Sequence, residues 1–186
     1  MGITSATPPT TWPVTLDEAK AQCRVRHDDE DGYIEGLIRS ATRYVERNLS
    51  RSVAVQQWLL SLDAFADNIE LLRGPVQTVV SVEYVDVDGA MQTLDDDAYT
   101  VDLGNDRQWW IVRNEAASWP SVMDAINVVQ ITYTAGYDEA PDDIRQAILL
   151  LIGHWYSARE AAAEKPSKAV ELAVDELLQS YRWVLA

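Results

Sequence analysis

Residues 136–160, GYDEAPDDIRQAILLLIGHWYSARE, contain a helical pattern that is apolar on more than one side. A β-like run, VVQITYTAGY, ends at Gly136, and Pro141 opens the helix. Ile144, Ala147, Ile148, Leu151, Ile152 and Trp155 form one stripe at three- and four-residue spacing. Leu149, Leu150 and Tyr156 carry apolar character round the cylinder. A surface helix needs only one apolar stripe of about 100°. A helix of this kind, expected over about 141–162, must therefore cross the middle of a domain or have a second face covered by another subunit.

Two helical segments come earlier in the chain. TLDE at 15–18 is a capping box, in which Thr15 and Glu18 satisfy each other's backbone N–H groups, and the helix it opens runs to about Cys23. A second helix covers about 29–49, with Ile34, Leu37, Ile38, Ala41, Tyr44, Val45 and Leu49 on one broad face. Its charges are sorted by sign. Asp28, Asp29, Glu30, Asp31 and Glu35 stand at the N-terminal end, and Arg39, Arg43, Arg47 and Arg51 at the other. That order complements the helix dipole. It also leaves one end acidic and one basic, so that identical subunits could meet head to tail through Arg39, Arg43 and Arg47.

From Ser52 to Thr134 the pattern changes to period two with β-branched residues. Strands are expected at 53–62, 69–72, 79–86, 90–94, 99–103, 109–112 and 128–134. Asp88-Gly89 is a hairpin signal, and Gly74-Pro75 and Gly104-Asn105 are further turns. A last helix is expected over about 167–185, after Lys165-Pro166, with Val170, Ala173, Val174, Leu177, Leu178 and Tyr181 on one face. Helices on both sides of a β stretch must pack together. The expected class is α+β: a helical bundle built from the two ends of the chain, with an inserted antiparallel β domain. The expected organisation is an extended N-terminal arm at 1–13, helical parts at 14–51 and 138–186, and the β insert at 52–137.

Composition removes several function classes. The formal net charge is −15, from 30 acids against 15 bases. A basic surface that grips nucleic acid is therefore not expected. One cysteine, Cys23, precludes an internal disulfide and reads as a buried thiol. Residues 1–13 have neither the basic region nor the apolar core of a signal peptide, and no run approaches the roughly 18 apolar residues of a membrane span. A soluble protein of a reducing compartment is expected, without membrane association. Seven tryptophans and eight tyrosines against one phenylalanine favour surfaces that are half buried and half wet, as interfaces are.

No catalytic set emerges. Asp86 and Asp88 are two apart and could approach a metal with Asp95, Asp96 or Asp97. Turns, however, use Asp for local hydrogen bonds, and these positions flank turns. His154 and Glu160 are six apart, which is not a zinc-helix spacing, and His154 reads as a packed residue beside Trp155. His27 stands in a charged linker. There is no nucleophile elbow, phosphate loop, dinucleotide fingerprint or CxxC pair. No enzyme, cofactor or metal is expected.

The C-terminus carries a different signal. ELLQSYRWVLA at 176–186 stays apolar and aromatic to the last residue, where chain ends are usually polar. Leu177, Leu178, Tyr181, Arg182, Trp183, Val184 and Leu185 either dock on the chain's own bundle or insert into a partner.

In this order the pieces resemble a tailed-phage head–tail connector, of the adaptor subfamily with a β insert between its helices. The resemblance runs from about Val14 to Trp183. It rests on VTLDEAKAQCRV at 14–25, DDEDGYIEGLIRSATRYVE at 28–46 and LLRGPVQTVVSVEYVDVDG at 71–89. AGYDEAPDDIRQAILLLIGHWYSARE at 135–160 and ELLQSYR at 176–182 complete it. The resemblance implies a non-enzymatic ring, typically of twelve subunits, beneath the portal of a filled capsid. Such a ring extends the DNA channel, attaches the tail through a stopper or tail-completion protein, and sits in the neck of the virion after assembly in the host cytoplasm. The C-terminal segment would engage the portal, and Leu149, Leu150 and Tyr156 would meet either the β insert or a neighbouring subunit. Twelve copies would carry roughly −180 formal charge, and an acidic lumen would let DNA slide through unbound. An acidic DNA mimic and a metal-dependent hydrolase are the alternatives from other classes.

Overall fold

The computed structural model describes residues 1–104, 108–158 and 167–182. Its elements are β1 (Gly2–Thr7), α1 (Leu16–Cys23), α2 (Asp31–Leu49), β2 (Gln56–Leu62), β3 (Asn68–Glu70), β4 (Val76–Val85), β5 (Met91–Thr93), β6 (Tyr99–Asp102), β7 (Trp110–Arg113), β8 (Val129–Ala135), α3 (Asp142–Ser157) and α4 (Lys168–Leu178). The chain is α+β, as expected. It divides into a β unit, Met1–Thr10 with Val55–Gly136, and a helical unit formed by Thr11–Ala54 and the described residues from Tyr137 onward.

In the β unit, a five-stranded antiparallel sheet has the order β1-β2-β8-β4-β5, and a three-stranded sheet the order β3-β7-β6. β8 shows the alternation that made it legible. Val129, Ile131, Tyr133 and Ala135 are buried, while Gln130, Thr132 and Thr134 between them are half-buried. Leu60, Val82, Ile69, Leu71 and Ile111 complete the centre of this core. Tyr133 keeps its hydroxyl satisfied by donating to the Leu72 carbonyl at 2.6 Å. Burial raises that phenol above its ordinary range. Phe65 stacks on Trp119 with ring centroids 4.7 Å apart. The Asp88-Gly89 hairpin joins β4 and β5, and Gly89 takes the positive φ, 84°, that the turn requires.

The N-terminal segment differs from the expected arm. Gly2–Thr7 is a strand hydrogen-bonded antiparallel to β2, although most of its side chains are exposed. An edge strand needs backbone partners more than apolar side chains, so its Thr-rich composition did not reveal it.

The helical unit is organised around α3. α1, α2 and α4 all pack against α3, and Ile144, Ala147, Ile148, Leu151 and Ile152 are fully buried. The capping box of α1 forms as written in the sequence. Thr15 N donates to Glu18 Oε2 at 2.8 Å, and Thr15 Oγ1 accepts from Glu18 N at 3.3 Å. α1 and α2 both end on a left-handed residue, Arg24 and Ser50, whose N–H closes the last turn. α4 stops at Leu178 rather than continuing to 185. One 3-10 turn, Gln179–Tyr181, follows, and Arg182 is extended. Leu178 is fully buried in the helical core, which fixes the last α-helical turn in place.

Candidate functional site

The surfaces on which partners would act were expected at α3, α2 and the C-terminus. The structure answers why α3 is apolar on several sides. It is the central helix of its own unit, with three helices around it. Leu149, Leu150 and Tyr156 are partly buried against that same core. Tyr156 donates its hydroxyl to Glu30 Oε2, and its ring lies 6.3 Å from that of Tyr33. Trp155 meets Tyr44 edge to face at 6.0 Å. His154 is a structural acceptor: its Nε2 takes the Ser167 N–H at 3.1 Å. Glu160, paired with it in the sequence reading, lies outside the described residues.

The C-terminal candidates separate into two groups. Leu178 belongs to the core and Leu177 packs partly against it. Tyr181 is partly buried, and its hydroxyl lies 3.5 Å from Asp143 Oδ2. Burial, then the Asp143 charge, raises the Tyr181 phenol. Arg182 donates to Asn48 at 2.6 Å and to Asp175 at 2.5 Å. These four residues are therefore held by the helical unit itself. Trp183, Val184 and Leu185 lie outside the described residues.

Arg39, Arg43 and Arg47 are exposed in one row on the outer side of α2. Arg39 meets Glu35 at 3.5 Å. Arg43 and Arg47 have no ion pair among the described residues. At the other end of the helix, Lys20 bridges Asp28 at 2.6 Å and Asp31 at 2.7 Å. The hydrogen bond from Lys20 holds the Asp28 carboxyl below its usual range.

The aspartates considered for a metal serve turns. Asp86 accepts from Asp88 N at 3.0 Å, Ala90 N at 2.9 Å and Gln92 Nε2 at 2.8 Å, and the Gln92 bond leads in lowering its pKa. Asp96 accepts from the Tyr99 hydroxyl at 2.9 Å. Burial, then that bond, pushes Tyr99 up to about 12. No group of three potential metal ligands occurs among the described residues.

One surface was not anticipated. A groove of about 630 Å³ lies between α3 and α4, lined by Asp143, Ala173, Glu176, Leu177, Gln179 and Ser180. It adjoins a second hollow of about 410 Å³ that shares Asp143 and Leu177 and adds Asp142, Arg145, Gln146 and Leu149. Its acidic rim draws on two helices about thirty residues apart in sequence, so no local motif announces it.

Residues 13–85 match the family model of the phage gp6-like head-tail connector protein. The chain resembles head–tail connector proteins. No curated protein matches it. Among solved structures, this connector-like chain superposes over its whole length on a chain in the neck of an empty gene transfer agent particle computed with C6 symmetry. The TM-score is 0.82 at 21% identity, with 97% of that chain covered. A chain of the virion of a native gene transfer agent particle gives 0.78 at 22%, covering 100% of this chain and 97% of that one. A chain in the native neck computed with C12 symmetry gives 0.76 at 22%, with the same coverage. At this identity the likeness shows the fold. The family match supports a structural connector protein.

Proposed function

We propose that the chain is a structural head–tail connector subunit of a phage-like particle. Copies form a ring beneath the portal, extend the DNA channel toward the tail and provide the attachment site for a stopper or tail-completion protein. The observation that carries this reading is the family match over 13–85 on a chain whose whole length shares the fold of neck chains. A neck computed with C12 symmetry favours twelve copies. The net charge of −15 per copy favours a lumen along which DNA slides unbound. Portal docking falls to Trp183, Val184 and Leu185, because Leu178 is committed to the helical core. The protein works in the neck of the virion, assembled in the host cytoplasm, and no catalysis is part of this role.

The test is to tag the chain, purify particles and image the neck. Tag density at the portal–tail junction is expected, and deletion of the gene should leave DNA-filled heads without tails. Absence of the chain from purified particles would overturn the proposal.

A further inference from the structure

We propose that the acidic groove between α3 and α4 on one copy receives the α2 arginine row of a second copy. The inference rests on the ring reading above and names the two surfaces that close the ring.

The arginine row needs an explanation beyond its own helix. The dipole of α2 acts within the last turn, which reaches Arg47 but neither Arg43 nor Arg39. All three point away from the side that buries Ile34, Ile38 and Val45. Arg43 and Arg47 are without an ion pair among the described residues, in a chain where acids outnumber bases two to one. Guanidinium groups of this kind pair with carboxylates and lay their stems on apolar surface.

The groove offers both. Leu149, Leu177 and Ala173 give it an apolar floor, and Asp142, Asp143 and Glu176 an acidic rim. The Asp142 side chain is 100% exposed, and among the described residues Arg145 approaches it at 3.8 Å. Leu172, next to Ala173 on α4, is 64% exposed. Arg43 and Arg47 on one surface thus complement in sign the carboxylates of Asp142, Asp143 and Glu176 on another surface of the same chain. Because the two surfaces differ, their pairing is heterologous, which is the geometry that generates rings. Exposed charge pairs are screened by salt, so the contact is weak between free copies and strengthens at low ionic strength.

The test uses the full chain and two exposed-residue variants. Arg43→Glu with Arg47→Glu removes the arginine side, and Asp142→Arg with Glu176→Arg removes the groove side. Sedimentation at low salt should show the wild type associating, and each variant alone weakened about tenfold or more. Mixed together, the two variants offer alternating wild-type and charge-swapped contacts, both attractive, and should associate where neither does alone. All four substitutions in one chain should restore the wild-type series. Circular dichroism confirms that each variant is folded. Arginine-side variants that associate like wild type would overturn the assignment, as would a wild-type chain that stays monomeric at millimolar concentration in low salt. Neither result touches the connector reading, which is decided by the position of the tagged chain in the particle.

Discussion

Arg182 is tied to Asn48 across almost the whole chain, by a 2.6 Å hydrogen bond from its guanidinium to the Asn48 side chain. The residues up to 182 therefore belong to the helical unit, and a truncation that begins at Leu177 would remove buried core. The informative truncation begins at Trp183. Deleting 183–186 is expected to leave the melting temperature within a few degrees of wild type while abolishing attachment to portals in a pull-down. Arg182→Ala, by contrast, is expected to cost about 1 kcal/mol in urea unfolding, since the group is part-exposed and screened.

Ile148 and Leu149 are neighbours with different roles. Ile148 is fully buried, so Ile148→Asp places an unpaired charge in the core and should prevent folding, read as loss of the helical circular dichroism signal. Leu149 lines the groove. Leu149→Asp should leave a folded chain, and sedimentation should show altered self-association.

Glu18 links α1 to α3 by pairing with Arg145. Its carboxyl sits below the ordinary 4.5, first through the backbone and hydroxyl of Thr15 and then through Arg145. A carboxylate with a lowered folded-state pKa stabilises fully above its unfolded value and loses that contribution as pH falls through the folded value. Glu18→Gln should therefore lower the melting temperature at pH 7, and the gap to wild type should close below about pH 4. A gap that persists unchanged at low pH would assign the effect to packing.

Gly74 stands against the face of Trp109, and a Cβ added there would collide with the indole ring. Gly74→Ala is expected to displace Trp109, which is 6% exposed, and to cost about 1–3 kcal/mol. A red shift in tryptophan emission and a lower urea midpoint would register it. The sequence marked Gly74-Pro75 only as a turn; the close approach of a ring is a tertiary fact with no local signature.

That contrast holds more widely. The Thr15–Glu18 capping box, the alternation of β8 and the Asp88-Gly89 hairpin were readable because each depends on residues a few positions apart. The many-sided apolar character of α3 was readable too, but its cause was ambiguous. A helix at the centre of its own bundle and a helix covered by a neighbour share one pattern. The Glu30–Tyr156 bond spans 126 positions and the Arg182–Asn48 bond 134, and polar partners at that separation leave no periodic trace. The acidic groove escaped for the same reason, since α3 supplies Asp142 and Asp143 and α4 supplies Glu176.

Residues 55–136 leave and rejoin the helical unit on two neighbouring strands. Gln56 pairs with Ala135 inside it, and on the helical side the Tyr137 N–H donates to the Val53 carbonyl at 3.2 Å. The two severed ends of the helical host thus lie about one strand spacing, ~4.8 Å, apart. A tight turn is enough to rejoin them. The stretch between these ends can accordingly lengthen or shorten without rerouting a single helix, so long as β2 remains to hold β1, which reaches the same sheet from the start of the chain.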